Sequence, residues 1–363
     1  MRLDAFWILF APITDGSSGW ATAAKLRQSL IANVYRKLAE AYGPRTGEPS
    51  DSEIDTAIQD GFLALDREIV WSNLERVKSG GSKRLGAQLL APAISGSCAL
   101  LVFYDTGTQQ LRVACAGDSR AVLGRRSSTG PAWCAIPLSA DQTGENPIEA
   151  ARIQAEHPDE PEVVKQGRVV GMEPTRAFGD ADFKWTRAIS MEMRKMFHAH
   201  KPPDGVKTPP YITAEPVMTT TKIQPERGDF VVLASDSLWE MLSNEEVIGL
   251  VGRWIDEGFL AAPLGKLSKK KAASVWNKAH QFLGPDDTFT SNVEMSHCPE
   301  SEKVFGRQPV RPQHWKIGKR RRTPLVEDAN AATHLARNGL VGDDHDFIAS
   351  LFMLGGSNTR RYR

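Results

Sequence analysis

The chain has 363 residues, 41% hydrophobic and 25% charged, with a formal net charge of +1. That length allows a large core, the composition argues against disorder, and the near-neutral balance gives no global pull toward nucleic acid or anionic membrane. No apolar stretch approaches the roughly 20 residues of a membrane-spanning helix. Residues 19–42 carry Trp20, Ala23, Ala24, Leu26, Leu30, Ile31, Val34 and Leu38 at helical spacing, and Tyr42-Gly43-Pro44 ends the pattern. Residues 52–78 repeat it with Ile54, Ile58, Phe62, Leu65 and Ile69. Strands are expected at 97–104, 111–116 and 120–124, a helix at 145–156, and strands near 211–214 and 230–235. Ser243 with Glu246 forms a capping box opening a helix to about Ile255. A last helix is expected over 325–338, stopping at Gly339. Helices clustered between groups of strands predict an α+β layered domain.

Three apolar segments run into an acid. Phe230-Val231-Val232-Leu233-Ala234-Ser235 leads to Asp236, Val113-Ala114-Cys115-Ala116-Gly117 leads to Asp118, and Phe6 to Phe10 precedes Asp15-Gly16. Acids delivered at segment ends suit a hydrolytic metal site built of oxygen ligands. Taken singly, Asp15 before Gly and Asp118 before Ser-Arg read as turn residues; the joint pattern favours the site. The four cysteines, Cys98, Cys115, Cys134 and Cys298, have no metal-ligand spacing. Cys98 and Cys115 lie in apolar runs and read as buried free thiols. Residues 256–324 carry Lys269-Lys270-Lys271 and Lys319-Arg320-Arg321-Arg322. Without interleaved aromatics they read as a solvated insertion or flap, not a nucleic-acid surface.

Five motifs in order extend the pattern: Asp15-Gly16-Ser17-Ser18-Gly19-Trp20, Gly96-Ser97-Cys98-Ala99, Ala116-Gly117-Asp118-Ser119-Arg120-Ala121, Thr175-Arg176-Ala177-Phe178-Gly179-Asp180 and Ala234-Ser235-Asp236-Ser237-Leu238-Trp239. Together they resemble the metal-dependent (type 2C) serine/threonine protein phosphatases. Glu173 to Asp180 and Pro209 to Pro216 look most like the pyruvate dehydrogenase phosphatase branch and its fungal relatives. The resemblance implies a central antiparallel β-sandwich flanked by helices, as one phosphatase domain over 1–363. It implies Mg²⁺ or Mn²⁺ held by Asp15, the Gly16 carbonyl, Asp236 and, for a weaker third ion, Asp118. It also implies a phosphoserine or phosphothreonine protein substrate, hydrolysed by a metal-activated water, and by branch a mitochondrial location and dehydrogenase-complex partner.

Asp180 reads as a structural hydrogen-bonding residue, and His334 as a packing or surface residue. The family's general-acid His is Ser17 here, and a hydroxyl cannot serve as that acid near pH 7. The family's upstream strand before Asp15, with its phosphate-binding Arg and metal-ligand acids, and its terminal Asp-Asp strand have no counterpart in the sequence. The domain is therefore expected to lack terminal strands, and a longer product to carry them behind an Arg- and Ser-rich presequence, which Met1 to Phe10 does not provide. The alternative is a phosphatase-like binding protein, or a truncated product, without turnover.

Overall fold

The computed structural model describes residues 19–43, 48–128, 130, 132–197, 201–256 and 330–340. In chain order the helical part begins with α1 (Ala21–Ala41) and α2 (Asp51–Arg67). A π-helical turn, Glu68–Ser72, joins α2 to α3 (Asn73–Lys78), and α4 (Lys83–Ile94) comes next. Then come β1 (Gly96–Ser97), β2 (Ala99–Asp105), β3 (Gln110–Ala116), β4 (Arg120–Arg126) and β5 (Trp133–Pro137). After α5 (Pro147–Glu156) stand the short β6 (Val164–Lys165), β7 (Arg168–Val169) and β8 (Phe178–Gly179), then α6 (Arg187–Phe197). The last elements are β9 (Val217–Lys222), β10 (Phe230–Ala234), α7 (Asp236–Met241), α8 (Asn244–Asp256) and α9 (Ala331–Leu340). These elements form an α+β fold with antiparallel sheets.

The chain divides into two compact units, one holding the residues up to Ala121 with Leu138–Ile223, the other Val122–Pro137 with the residues from Gln224. In the first, β2-β3-β9 make an antiparallel sheet, with Leu100 opposite Cys115 and Cys115 opposite Val217. The helical stripes read from the sequence supply its core. Leu26, Leu30, Val34 and Leu38 of α1 meet Ile54, Ile58, Phe62 and Leu65 of α2, all buried. The core extends to Leu101 and Phe103 of β2 and to Phe178, whose ring lies 5.4 Å from that of Phe62. Arg112 on β3 is fully buried and is held by Asp51 and Asp55 at the start of α2. Such a charge is tolerated inside only when it is paired.

The second unit is built on the sheet β10-β4-β5. Val122, Trp133, Trp239, Val247, Ile248, Leu250, Val251 and Leu335 form its core. Arg125 and Asp229 pair through two parallel bonds of 2.8 and 2.6 Å, the fork geometry that makes guanidinium–carboxylate contacts strong. The capping box of α8 is present: Glu246 N–H donates to Ser243 Oγ (3.2 Å), and Ser243 N–H donates to Glu246 Oε2 (2.7 Å).

Some sequence expectations change. The strand near 211–214 is an extended segment with a single bridge, Arg176 to Thr213. Its backbone groups pair with separate segments, Tyr211 N–H donating to the Phe183 carbonyl and the Thr213 carbonyl accepting from Ala177 N–H, so no ladder builds up. The Tyr211 hydroxyl instead accepts from the backbone N–H groups of Lys207 and Thr208. The last helix runs on through Gly339 to Leu340. Its expected first residues, 325–329, and the 256–324 insertion beyond Asp256 lie outside the described residues. Of the cysteines, Cys98 and Cys115 are buried thiols and Cys134 a half-buried one, none of them in a disulfide among the described residues, and Cys298 lies outside those residues.

Candidate functional site

Asp118 is the best-defined acid of the expected set. Strand β3 is buried through its last residues and is followed by Gly117, whose φ is +123°. A Cβ at that position would fall 2.2 Å from Cys98 Sγ and 3.2 Å from the Arg176 carbonyl oxygen, so both conformation and space require glycine. The turn sets the Asp118 carboxylate in the interior, 6% exposed, where Oδ1 accepts from the Cys98 thiol at 3.3 Å. Burial, and then the neighbouring Asp118 charge, push the Cys98 thiol well above its ordinary range. The thiol is therefore neutral and donates.

The turn is braced by residues that the sequence reading missed. Gln142, 2% exposed, places its side-chain amide across the turn: Oε1 accepts from Gly117 N–H at 2.7 Å and Nε2 donates to the Cys115 carbonyl at 2.9 Å. Next to it, Asp141 takes two bonds from Arg120, 2.9 and 2.7 Å long. Asp141 and Gln142 come after β5 in a polar connection with no periodic signal, so nothing local in the sequence marks them.

The Thr175–Asp180 motif builds scaffolding. Arg176 grips Glu149 with bonds of 2.8–3.1 Å, and Thr175 Oγ1 donates to the same carboxylate at 2.6 Å. Gly179 N–H donates to Asp66 Oδ1 at 2.9 Å, and Lys184 Nζ bonds both Asp66 oxygens at 2.9 and 2.7 Å. Asp180 has a left-handed backbone, and its N–H donates to the Ser95 carbonyl at 3.0 Å. Its carboxylate packs so closely on Gly96 that a Cβ there would lie 1.7 Å from Oδ2. Glycine in Gly96-Ser97-Cys98-Ala99 is thus fixed by an acid from another motif.

Asp236 is the first residue of α7, half-buried, immediately after β10 and Ser235. Its Oδ1 accepts from its neighbour's backbone, Ser237 N–H, at 2.7 Å. Trp239 Nε1 donates to the Ala234 carbonyl at 3.0 Å and ties this helix back to its strand. Asp15, Gly16 and Ser17 lie outside the described residues. His334 is fully buried, with Nε2 3.2 Å from the Leu250 carbonyl and Nδ1 3.1 Å from Asn338 Nδ2. A carbonyl only accepts, so Nε2 carries the proton and the ring is a satisfied core histidine linking α9 to α8.

The sequence profile of the protein phosphatase 2C family matches residues 17–277. The chain belongs to the protein phosphatase 2C family. It is 38% identical to a protein phosphatase 2C homolog of Schizosaccharomyces pombe over 363 residues, covering 99% of this chain and 71% of that one. Against the mitochondrial [pyruvate dehydrogenase [acetyl-transferring]]-phosphatase 1 of Saccharomyces cerevisiae it is 37% identical, covering 98% of this chain and 60% of that one. With the mitochondrial human protein of the same name, identity is 29%, covering 94% of this chain and 58% of that one. The chain therefore spans about three fifths of the length of these two phosphatases.

A protein phosphatase 2C is a metal-dependent protein serine/threonine phosphatase, a hydrolase of phosphate esters. The acids in hand fit that dependence in kind: Asp118 and Asp236 offer the hard oxygen donors that small divalent ions select. Among the described residues, no three His, Cys, Asp or Glu side chains gather into a metal-holding group. The phosphatase family match begins at Ser17, one residue past Asp15-Gly16.

Proposed function

We propose that this chain removes phosphate from phosphoserine or phosphothreonine of a mitochondrial protein of the pyruvate dehydrogenase type, using Mg²⁺ or Mn²⁺ held by Asp15, the Gly16 carbonyl, Asp118 and Asp236. The observation that carries the substrate class is the 37% identity to the yeast pyruvate dehydrogenase phosphatase, which extends over 98% of this chain. Support for the metal role of Asp118 comes from its setting. A carboxylate is placed at the end of a buried strand by a turn that only glycine can make, and it offers the hard oxygen donors that small divalent ions select. A bound divalent ion would supply an activated water and neutralise charge on the phosphoryl group. The chain's own part is to fix the acids: β3 and the Gly117 turn present Asp118, while β10 and the start of α7 present Asp236.

The test is release of inorganic phosphate from a phosphoserine peptide of pyruvate dehydrogenase, with Mn²⁺ at millimolar level and with EDTA. Metal-dependent release is expected, and it should fall at least about tenfold in Asp118→Asn and Asp236→Asn. Phosphopeptide binding without any metal-dependent release would instead favour a phosphatase-like binding protein, a reading for which Ser17 in place of the family His is the motive.

A further inference from the structure

Three of the four polar groups of Gln142 bond the Cys115–Gly117 stretch, and the fourth bonds the Thr175 backbone. Besides the two side-chain bonds to Gly117 and Cys115, its own N–H donates to the Gly117 carbonyl at 3.1 Å, and its carbonyl accepts from Thr175 N–H at 2.8 Å. The pairing of β3 with β9 ends at Cys115–Val217 and that with β2 at Ala116–Ala99. The Gln142 amide thus takes over where the strand ladder stops, bonding the groups on either side of Ala116. The chain continues through Gly117, the residue type with the most backbone freedom, into Asp118. Without those two bonds the turn keeps only the weaker contacts of the Cys115 thiol with the Gly117 and Ser119 carbonyls, at 3.6 and 3.2 Å, and the backbone bond from Gln142, so Asp118 is held less firmly. Cys98, donating to Asp118 Oδ1, fixes the rotamer only after the backbone is placed.

We propose that Gln142 is a positioning residue for Asp118, setting where that carboxylate meets a divalent ion. The proposal rests on the reading of Asp118 as a metal ligand. Partners that orient metal ligands from behind typically change affinity by about 10–100-fold when they are removed. A purely structural glutamine would lower stability and leave affinity alone.

Mn²⁺ binding to the full chain is measured by electron paramagnetic resonance of the free ion, alongside the thermal midpoint in EDTA. Gln142→Met keeps the length and loses both bonds; Gln142→Asn keeps the amide but shortens its reach. Both should weaken Mn²⁺ binding about 10–100-fold, and Asp118→Asn at least as much. Ile58→Val, a trim in the α2 core, should lower the midpoint and leave Mn²⁺ affinity unchanged. Wild-type affinity in both Gln142 variants, with Asp118→Asn impaired, overturns the positioning role. Wild-type affinity in Asp118→Asn removes the ligand reading and the positioning role with it. Should Gln142→Met fail to fold, Gln142→Asn decides, because it retains both polar groups.

Discussion

Glu149 is held by two guanidinium groups, Arg176 and Arg152, and by the Thr175 hydroxyl. Burial raises its pKa, and the hydrogen bonds from Arg176 and Arg152 outweigh that and bring it from 4.5 to about 2. A carboxylate depressed in the folded state stabilises it fully above the unfolded value, near 4.5, and loses that contribution as pH falls toward 2. The size is about 3 kcal/mol by the linkage relation. Glu149→Gln should therefore flatten the fall in stability between pH 4.5 and 2.5, read from urea midpoints against pH. At neutral pH it should cost roughly 3–5 kcal/mol, because Arg176 is left buried beside an uncharged partner. An unchanged acid limb would show that Glu149 is not what holds the fold there. Ser17 is the other residue with a sharp consequence. A hydroxyl cannot act as general acid near neutrality, whereas a positioned histidine typically contributes about 10²–10⁴-fold. Ser17→His should raise kcat and add a decline in rate above about pH 7, where the imidazole loses its proton. A kcat and pH profile identical to wild type would count against a general-acid role at this position.

Elements were legible where burial imposed a period. The stripes of α1 and α2, the runs of β2, β3 and β10, and the Ser243 box of α8 all arise from apolar spacing or cap chemistry, and all are present. The elements that escaped have interrupted patterns. α4 contains Gly86 and Pro92, which read as punctuation, yet Ser82 caps it by accepting from Leu85 N–H. β9 is half threonine, Thr219-Thr220-Thr221, with no buried residue to mark it as a strand. β5 contains Pro137, and α6 surrounds its buried Met193 with exposed Glu192, Arg194 and Lys195. The site divides in the same way: Asp118 and Asp236 stood out as acids after apolar strands, while Gln142 and Asp141 are set by tertiary contacts alone. The capping boxes, Ser50 with Glu53 at α2 and Ser243 with Glu246 at α8, give an element-scale prediction. Ser50→Ala at α2 and Ser243→Ala at α8 should each cost about 0.5–2 kcal/mol. Glycine at either position should cost only a few tenths, as measured by urea denaturation. No measurable loss in the alanine variants would mean that the serine oxygen is not what stabilises these helix starts.

At the scale of the whole molecule, a divalent ion that binds only the folded chain must raise its stability by linkage. The gain is about 2.7 kcal/mol when free metal stands at 100 times the Kd. For a domain of 150–250 residues this is worth about 2–4 °C per kcal/mol, and a longer chain moves less. Mn²⁺ should accordingly raise the thermal midpoint above that in EDTA. Two substitutions separate the metal's contribution from the fold's own. Asp236→Asn removes a proposed anionic ligand but keeps size and an oxygen that can accept from Ser237 N–H, so the midpoint in EDTA should change little while the Mn²⁺-induced rise is mostly lost. His334→Ala does the reverse. It deletes a fully buried ring bonded to the Leu250 carbonyl and to Asn338, at a cost of roughly 1–3 kcal/mol for the two lost hydrogen bonds. The EDTA midpoint should fall, and the rise with Mn²⁺ should survive at its wild-type size. A His334→Ala chain that loses the metal response would place that histidine in the metal's environment after all. An Asp236→Asn chain that keeps the response would remove Asp236 from the ligand set.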